Sequence, residues 1–364
     1  MIISTTVPYF TFTITLLLCC LGFVFPKNKF LFLIQSVWIL ILTCLNTGSG
    51  DWIGNEGYYW ESSTNQISPL NFTYILVSHL FKSFNLDFIA FNATFCLLAT
   101  IFILFTILRF TKNCNMVISL WYIYPFIDNI VQKRAYYALG LIIVAMPLLF
   151  KTDLKLKNVI WFELITFIAC QIHSMYFLYL TLPLFLMLNY KSQKIIAIFG
   201  LVIGFVLKNQ IQVLVNSVFG NAMSSKSDLY FNTLAATASV SHTIFWAIWQ
   251  LSQLALVLYI NKNFNDNNFN KKLLSMNLWG ILLIPLYSFN PVFTRAFRVI
   301  LLFNYITVAN SCELKQNRYI SLKTLGIISI ELIFALASFY MFDINNDGLR
   351  QMIYPIFQNN ILLN

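Results

Sequence analysis

Charged residues are scarce in this sequence, and that scarcity limits what the chain can be. Only 10% of its 364 residues are Asp, Glu, Lys or Arg, against roughly a quarter in an average soluble domain. Hydrophobic residues make up 59% of the chain, and the mean hydropathy is +0.73. A soluble globular protein carries far more charge at its surface, so that class is excluded.

Motifs that hold metals or disulfides are also missing. The seven cysteines (positions 19, 20, 44, 96, 114, 170 and 312) show no zinc-site spacing. The loops that we place outside contain no cysteine, and no Asp-x-Asp motif offers ligands to a divalent cation. The sequence therefore predicts neither a metal nor a cofactor, and the cysteines are interpreted as small apolar side chains.

Long apolar runs are what the sequence has in abundance. Runs of about twenty residues recur along the chain, and each can cross a bilayer as a helix. They predict an all-α, polytopic integral membrane protein with a single transmembrane domain over residues 1–364. About twelve spans follow from these runs: 7–25, 30–46, 88–108, 116–128, 129–150, 158–173, 174–190, 195–217, 242–260, 273–289, 297–310 and 320–341.

Basic residues concentrate in the short loops between these runs. By the positive-inside rule those loops lie inside, which places both termini outside. The net charge of +10 is then a topology signal, and no nucleic acid is expected as a partner. The first run has no basic residue before it and no small-residue cleavage site, so we expect a retained span instead of a signal peptide.

The outer segment 47–87 combines acidic and aromatic residues. Asp51 and Glu56 lie among several Trp and Tyr residues, a composition that suits sugar stacking and hydroxyl binding. An interfacial aromatic belt would have the same composition, so both interpretations stay open. The part from 69 to 84 is too short for a clean span, and we expect an interfacial or re-entrant helix there. Counting it as a span would reverse the orientation of everything before it.

One polar cluster interrupts the apolar pattern. Asp128, Gln132, Lys133 and Arg134 lie within about one and a half helical turns, directly before the long apolar run 135–150. A polar residue at membrane depth costs a few kcal/mol unless it faces a cavity or a partner. We therefore interpret the cluster as lining a site for an anionic, lipid-borne substrate.

A second pair of cations lies at the outer start of a late span. Arg295 and Arg298 are three residues apart, which places both on one helix face. Guanidinium groups clamp phosphate oxygens in bidentate fashion, so this pair could grip a pyrophosphate together with Lys133 and Arg134. The competing interpretation is that these cations snorkel to lipid headgroups or pair with Asp128.

His173 lies where one predicted span ends and the next begins. A neutral imidazole there could accept a proton from a sugar hydroxyl, although a helix-end histidine bonded to a backbone carbonyl is an equal alternative. The other two histidines, His79 and His242, also fall near the outer face. If the protein is an enzyme, its active site is therefore expected to open outward.

Three short motifs follow one another along the chain. They are Tyr-Pro-Phe followed by Gln-Lys-Arg-Ala within 124–135, Ile-Ala-Cys-Gln-Ile-His-Ser at 168–174, and Thr-Arg-Ala-Phe-Arg at 294–298. In order and spacing they resemble the EpsG/Wzy-type bacterial polysaccharide polymerases, which share a Gln-x-Arg element, an Ala-x-x-x-His-Ser helix end and a late arginine before a span. The acidic outer loop with Asp51 and the closing segment 354–360 also fit this resemblance.

The resemblance implies a GT-C-like, all-helical glycosyltransferase that needs no metal. Such an enzyme joins undecaprenyl-pyrophosphate-linked oligosaccharide repeat units at the outer face of the bacterial plasma (inner) membrane. Its partners are then a lipid-linked donor, a lipid-linked acceptor and membrane lipids. By the same analogy Arg134 and Arg295 hold the donor pyrophosphate, while His173 or a carboxylate such as Asp51 takes the proton from the acceptor hydroxyl.

Two other functions stay open at this point. An oligosaccharide ligase would use the same lipid-linked donor with a different acceptor. A flippase or other transporter of lipid-linked oligosaccharides should carry charges deep in several spans, whereas here only Lys208 and Glu331 lie deep. The sugars, the linkage, the stereochemical outcome, the oligomeric state and the binding of a chain-length regulator are not indicated by the sequence.

Overall fold

The structure is a computed structural model that describes residues 8–62, 71–210, 213, 239–264, 267–312, 322–345 and 348–363. Regular structure within these residues is helical, which confirms the all-α prediction, and their β-type pairing is limited to a bridge between Asn46 and Asn360. The chain forms two compact units. The first unit comprises Met1–Pro147, Leu164–Ser174 and Tyr305–Asn364, and the second comprises Leu148–Glu163 and Met175–Asn304.

The described α-helices are numbered in chain order. They are α1 Tyr9–Val24, α2 Lys29–Cys44, α3 Trp52–Glu61, α4 Phe72–Ser83, α5 Phe88–Phe110, α6 Cys114–Ile123, α7 Phe126–Val131, α8 Lys133–Ala145, α9 Leu156–Ile172, α10 Leu182–Met187, α11 Tyr190–Val206, α12 Val240–Asn263, α13 Asn268–Gly280, α14 Arg298–Ser311, α15 Leu322–Phe339 and α16 Tyr354–Gln358. Short 3₁₀ segments cover Met146–Leu148, Ser174–Thr181, Ile281–Ser288 and Pro291–Phe297, and π-helical turns cover Tyr340–Ile344 and Leu349–Ile353.

Four helical stretches in the described residues are long and apolar enough to cross a membrane. They are Phe88–Phe110, Val240–Asn263, Val292–Ser311 and Leu322–Ile344, and shorter apolar helices occur at Tyr9–Val24, Lys29–Cys44, Cys114–Ile123 and Ser174–Met187. Large apolar side chains such as Phe10, Phe30, Phe199 and Ile333 are exposed, as expected for surfaces that face lipid. The number of spans, their orientation and the single transmembrane domain stay predictions.

Small residues allow close helix contacts in the first unit. A Cβ atom added to Gly140 of α8 would lie 2.5 Å from the Ala99 Cα atom of α5, so the two backbones approach as closely as side chains permit. Such small-residue contacts are the usual means of packing apolar helices in a membrane. The same pair of helices is joined by hydrogen bonds of 2.7 Å between Thr100 and Tyr136 and 2.8 Å from Tyr137 to Asn92. The start of α8 is therefore held rigidly against α5.

The stretch predicted as the two spans 116–128 and 129–150 forms three helices. Helix α6 ends at Ile123, the six-residue helix α7 follows Pro125, and α8 begins at Lys133. Proline lacks the backbone N–H that a continuing helix needs, which accounts for the break between α6 and α7. Interrupted helices are tolerated at membrane depth when protein surrounds them, and the residues of α7 are all buried.

Residues 72–83 of the predicted interfacial segment form α4, whereas residues 63–70 lie outside the described part of the chain. Helix α4 is fixed to α3 by Lys82, whose Nζ donates to the carbonyl oxygens of Tyr59 (3.1 Å) and Ser62 (2.8 Å). These carbonyls belong to the last turn of α3, where a cation is stabilised by the helix dipole. A helix is therefore present in this segment, and its place at the membrane interface stays a prediction.

The C-terminal segment is paired with the start of the outer segment 47–87. The Thr47 amide donates to the Asn359 carbonyl oxygen (2.8 Å), and the Ile361 amide donates to the Leu45 carbonyl oxygen (3.0 Å). The Asn360 side chain adds a 2.8 Å bond to the Ile41 carbonyl oxygen at the end of α2. Residues far apart in the chain therefore fix the loop that leads into α3.

The second unit packs α11, α12 and α13 around the 3₁₀ segment Ile281–Ser288. A Cβ atom added to Gly204 of α11 would lie 2.5 Å from the rigid ring of Pro285, so glycine is required for this approach. A buried amide pair, Asn277 with Asn304, links α13 to α14 through bonds of 2.8 and 3.0 Å.

Candidate functional site

The two cations that begin α8 point into different surroundings. Lys133 is fully buried, with 0% of its surface exposed, whereas Arg134 is partly exposed. Consecutive residues of a helix lie on different faces, so the adjacent residues Lys133 and Arg134 have different surroundings. The polar cluster predicted from the sequence is therefore divided among several local environments in the first unit.

Arg134 is held between aromatic rings and a helix end. Its Cζ atom lies 4.3 Å from the ring centroid of Tyr58 on α3 and 4.7 Å from that of Tyr74 on α4. Its Nε and Nη2 atoms donate to the carbonyl oxygen of Ile172, at 3.3 and 3.1 Å. Ile172 is the last residue of α9, where the carbonyl groups carry the negative end of the helix dipole. The guanidinium plane is thus fixed from three sides.

Part of the Arg134 guanidinium has no acceptor among the described residues. An arginine has five N–H donors, and the bonds to Ile172 use Nε and Nη2, so that the Nη1 donors are left over. Guanidinium donors in a fixed plane match the oxygens of phosphate groups. The geometry therefore equips Arg134 to bind an anion without further rearrangement of its side chain.

The segment that contains His173 adjoins the Arg134 anchor. His173 follows Ile172 directly, and its backbone N–H continues the α9 pattern with a 2.9 Å bond to the Ala169 carbonyl oxygen. Gln171, two residues earlier, accepts a hydrogen bond from Thr73 of α4. Helices α4 and α8 therefore both attach to the carboxyl end of α9, which brings the predicted residues Arg134 and His173 into one neighbourhood.

Lys133 is bound by uncharged groups. Its Nζ donates to Asn46 Oδ1 at 3.2 Å and lies 5.4 Å from the ring centroid of Trp52. Within the described residues neither Lys133 nor Arg134 forms an ion pair with Asp128, which was one part of the competing interpretation of these cations. Asn46 is itself fully buried, with its Nδ2 atom 3.1 Å from the Asn359 carbonyl oxygen.

Asp128 and Gln132 form a separate buried pair. Gln132 Nε2 donates to Asp128 Oδ1 at 2.8 Å, across one turn from α7 to the residue that precedes α8. Both side chains are almost fully buried, with 1% and 6% of their surfaces exposed. Their predicted role in substrate binding stays a prediction.

The two predicted carboxylates lie in α3 and directly before it, and Glu56 is linked to the start of α8 through Trp52. Glu56 Oε2 accepts a 3.0 Å hydrogen bond from Trp52 Nε1, and the face of that indole lies over Lys133. Asp51 is exposed at the start of α3 and lines an open hollow of about 540 Å³ together with Gly50 and Asn55. Both predicted catalytic carboxylates therefore belong to the unit that contains Arg134 and His173.

Tyr74 is a component of this site that the sequence did not indicate. Its side chain is fully buried, and burial raises the pKa of the phenol, with the Arg134 charge acting in the opposite direction. The ring consequently stays neutral around pH 7 and presents its face to the cation. Asn46 was also missed, because a single asparagine at the end of an apolar run carries no functional signal.

Arg295 and Arg298 belong to the second unit. Arg295 is partly exposed near the end of the 3₁₀ segment Pro291–Phe297, and Arg298 is the buried first residue of α14, 3% exposed. Tyr179 donates a hydrogen bond to the carbonyl oxygen of Ala296, which fixes the turn between the two arginines. A pyrophosphate clamp shared between these arginines and Arg134 stays a prediction.

Among the described residues there is no group of three or more His, Cys, Asp or Glu side chains that could hold a metal ion. Comparison with curated proteins and with solved structures returned no match. Comparison with family models matched the EpsG family over residues 9–355. That match covers nearly the whole chain and includes every site residue predicted from the sequence. The chain belongs to the EpsG family.

Proposed function

We propose that this protein is a membrane glycosyltransferase that joins lipid-linked oligosaccharide repeat units into a polysaccharide. Membership of the EpsG family supports a polysaccharide polymerase-type role, and the apolar helices support a place in the membrane. The observation that carries the proposal is the Arg134 arrangement: a guanidinium fixed by Tyr58, Tyr74 and the Ile172 carbonyl, with N–H donors left for an anion.

The proposed donor is an undecaprenyl-pyrophosphate-linked oligosaccharide. As the bond between the anomeric carbon and the pyrophosphate oxygen breaks, the electron pair leaves with the pyrophosphate and negative charge grows there. Donors that are fixed in advance stabilise such a developing charge without reorganisation, and one such donor is worth about 10²–10³ in rate. Arg134 would supply this interaction, and a role for Arg295 and Arg298 at the pyrophosphate rests on the sequence and the family resemblance alone.

The acceptor hydroxyl must lose its proton as its oxygen bonds to the anomeric carbon. We assign this proton to His173, because the residue beside it anchors Arg134 and a histidine can accept a proton near neutral pH. Asp51, exposed in its hollow, is the alternative base, and Glu56, which accepts the indole N–H of Trp52, is the other carboxylate predicted from the sequence. This reaction requires no metal, because arginine donors take the place of a divalent cation at the leaving group.

The proposed setting is the outer face of the bacterial plasma membrane. The positive-inside pattern places Asp51, Arg134 and His173 on that side, within a GT-C-like architecture of about twelve spans. The lipid moieties of donor and acceptor would then stay in the bilayer while their sugars meet at the site.

The test is an assay of purified protein in detergent with a synthetic undecaprenyl-pyrophosphate oligosaccharide, with products separated by size. A ladder in steps of one repeat unit is expected from the native chain. The control variant Arg109→Ala, which removes an exposed arginine in the last turn of α5, should give the same ladder. Arg134→Ala should abolish the ladder while its helical content stays unchanged. Transbilayer movement of the intact lipid in liposomes, with no new glycosidic bond, would overturn the proposal in favour of a flippase. Transfer of one unit to a different acceptor would indicate a ligase.

A further inference from the structure

A cavity of about 730 Å³ lies in the second unit, where the ends of three helices meet. Its walls come from the start of α11, the last turns of α12 and the first turns of α13, and they include Tyr190, Tyr259, Asn261, Lys262, Lys271 and Ser275. None of these residues takes part in the proposed glycosyl transfer. By the positive-inside pattern this end of the helices is expected to face the inner side of the membrane.

The cavity is positively charged. Lys262 and Lys271 line it directly, and Lys194, whose Nζ lies 4.3 Å from the Tyr190 ring centroid, adds a third cation beside it. No acidic residue occurs among its described lining residues. Helices α11 and α13 begin at this end and α12 ends there, so the dipoles of the three helices largely offset one another and the lysines set the sign of the charge. An anion is therefore the expected class of ligand.

The uncharged residues that line the cavity indicate which kind of anionic ligand it would bind. The Oδ1 atom of Asn261 is buried and accepts no hydrogen bond from any described residue. Because buried acceptors in proteins are normally hydrogen-bonded, we expect a bound ligand to offer Asn261 a donor such as a hydroxyl group. Leu258 and Leu274 supply apolar wall next to these polar groups. Phosphate, hydroxyl and a short apolar stem occur together in the headgroup region of a glycerophospholipid with a polyol headgroup.

We propose that this cavity binds the headgroup of an anionic, hydroxyl-bearing phospholipid of the inner leaflet. Lys262 and Lys271 contact the phosphate, Asn261 accepts a hydrogen bond from the headgroup hydroxyl, and the leucines contact the glycerol stem. A lipid source is favoured over a soluble phosphate ester because the helices that form the walls carry exposed apolar residues such as Ile198, Val202 and Leu251. The proposal does not depend on the glycosyltransferase reaction.

The experiment is native mass spectrometry of the full chain in detergent, titrated separately with phosphatidylglycerol, phosphatidic acid and phosphatidylcholine. Phosphatidylglycerol should be retained best, and Lys262→Gln with Lys271→Gln should weaken it roughly thirtyfold, as expected for two lysine–headgroup contacts. Both lysines are exposed, so these substitutions remove no buried side chain. Asn261→Leu should remove the preference for phosphatidylglycerol over phosphatidic acid.

The control is Lys155→Gln with Lys157→Gln, which makes the same change in charge on exposed residues of the same unit outside the cavity. An equal loss of lipid binding in this control would show general electrostatic attraction and overturn the proposal. Equal retention of all three lipids would overturn it as well. If glycerol 1-phosphate alone stabilises the protein against heat, and only when Lys262 and Lys271 are present, then the ligand is a soluble phosphate ester and the lipid assignment is wrong.

Discussion

Replacing Asn46 by alanine should destabilise the protein mainly through Lys133. Asn46 Oδ1 accepts the 3.2 Å bond from the buried ammonium, and Asn46 Nδ2 lies 3.3 and 3.1 Å from the carbonyl oxygens of Ile356 and Asn359. A hydrogen bond to a charged group contributes about 2 kcal/mol, and the amide–carbonyl bonds contribute about 1 kcal/mol each at most. We therefore expect Asn46→Ala to lower the free energy of unfolding by about 3 to 4 kcal/mol.

A double-mutant cycle separates the two contributions. In a Lys133→Met background the charged bond no longer exists, so Asn46→Ala should cost only about 1 to 2 kcal/mol. The coupling free energy between the two positions is then about 2 kcal/mol, well above the error of additivity. Lys133→Met alone should be tolerated, because an apolar side chain of similar length replaces a buried cation that has no carboxylate partner among the described residues.

The assay is equilibrium unfolding of the purified variants in mixed micelles, with helical content followed by circular dichroism. Asn113→Ala is the matched control, since that buried asparagine donates a 2.6 Å bond to the Ala309 carbonyl oxygen and does not contact Lys133. Its effect should be the same in both backgrounds. A coupling between Asn46 and Lys133 below about 0.5 kcal/mol would refute the reasoning, because the charged hydrogen bond would then contribute nothing.

Three further predictions follow from the contacts of the first unit. Gly140→Ala should lower the melting temperature, because its Cβ would lie 2.5 Å from the Ala99 Cα atom and overpacking costs about 1–3 kcal/mol. The control Gly326→Ala places its Cβ in open space and should leave the melting temperature unchanged. Deleting residues 359–364 should expose the start of the outer segment to protease within minutes, and unchanged cleavage rates would contradict the observed pairing. Arg134→Lys should reduce polymer formation on the order of tenfold in the size assay, since lysine cannot donate twice to one carbonyl from a fixed plane.

The class of the fold and the family were predictable from the sequence for physical reasons. Apolar runs of about twenty residues leave few alternatives to membrane helices, because the backbone must satisfy its own hydrogen bonds in lipid. The polar stretch 128–134 was identifiable because polar groups there are exceptional in so apolar a chain. The predicted span 116–128 runs through Pro125, whereas in the structure the helix ends at Ile123 and a separate six-residue helix follows the proline.

The contacts that complete the site could not be predicted, because they join residues far apart in the chain. Tyr74 meets Arg134 only through the packing of α4 against the end of α9, and Asn359 meets Asn46 across more than three hundred positions. Neither residue type is unusual in its local sequence. The sequence leaves open whether the aromatic residues near Asp51 stack on sugars or form an interfacial belt, and the structure shows that one of them, Tyr58, is a partner of the arginine.

Lys133 and Arg134 are neighbours of the same charge, but their surroundings differ, and we infer different roles for them. Lys133 has no exposed surface, and it joins Asn46, which is tied to the C-terminal segment, to Trp52 at the start of α3. A buried cation of this kind orders the elements around it, and a substrate phosphate can reach it only if they move apart. Arg134 is partly exposed and keeps donors for an anion, while its anchor at Ile172 places it beside His173. We therefore infer that Lys133 positions α3, and that Arg134 is the member of the pair that meets the substrate.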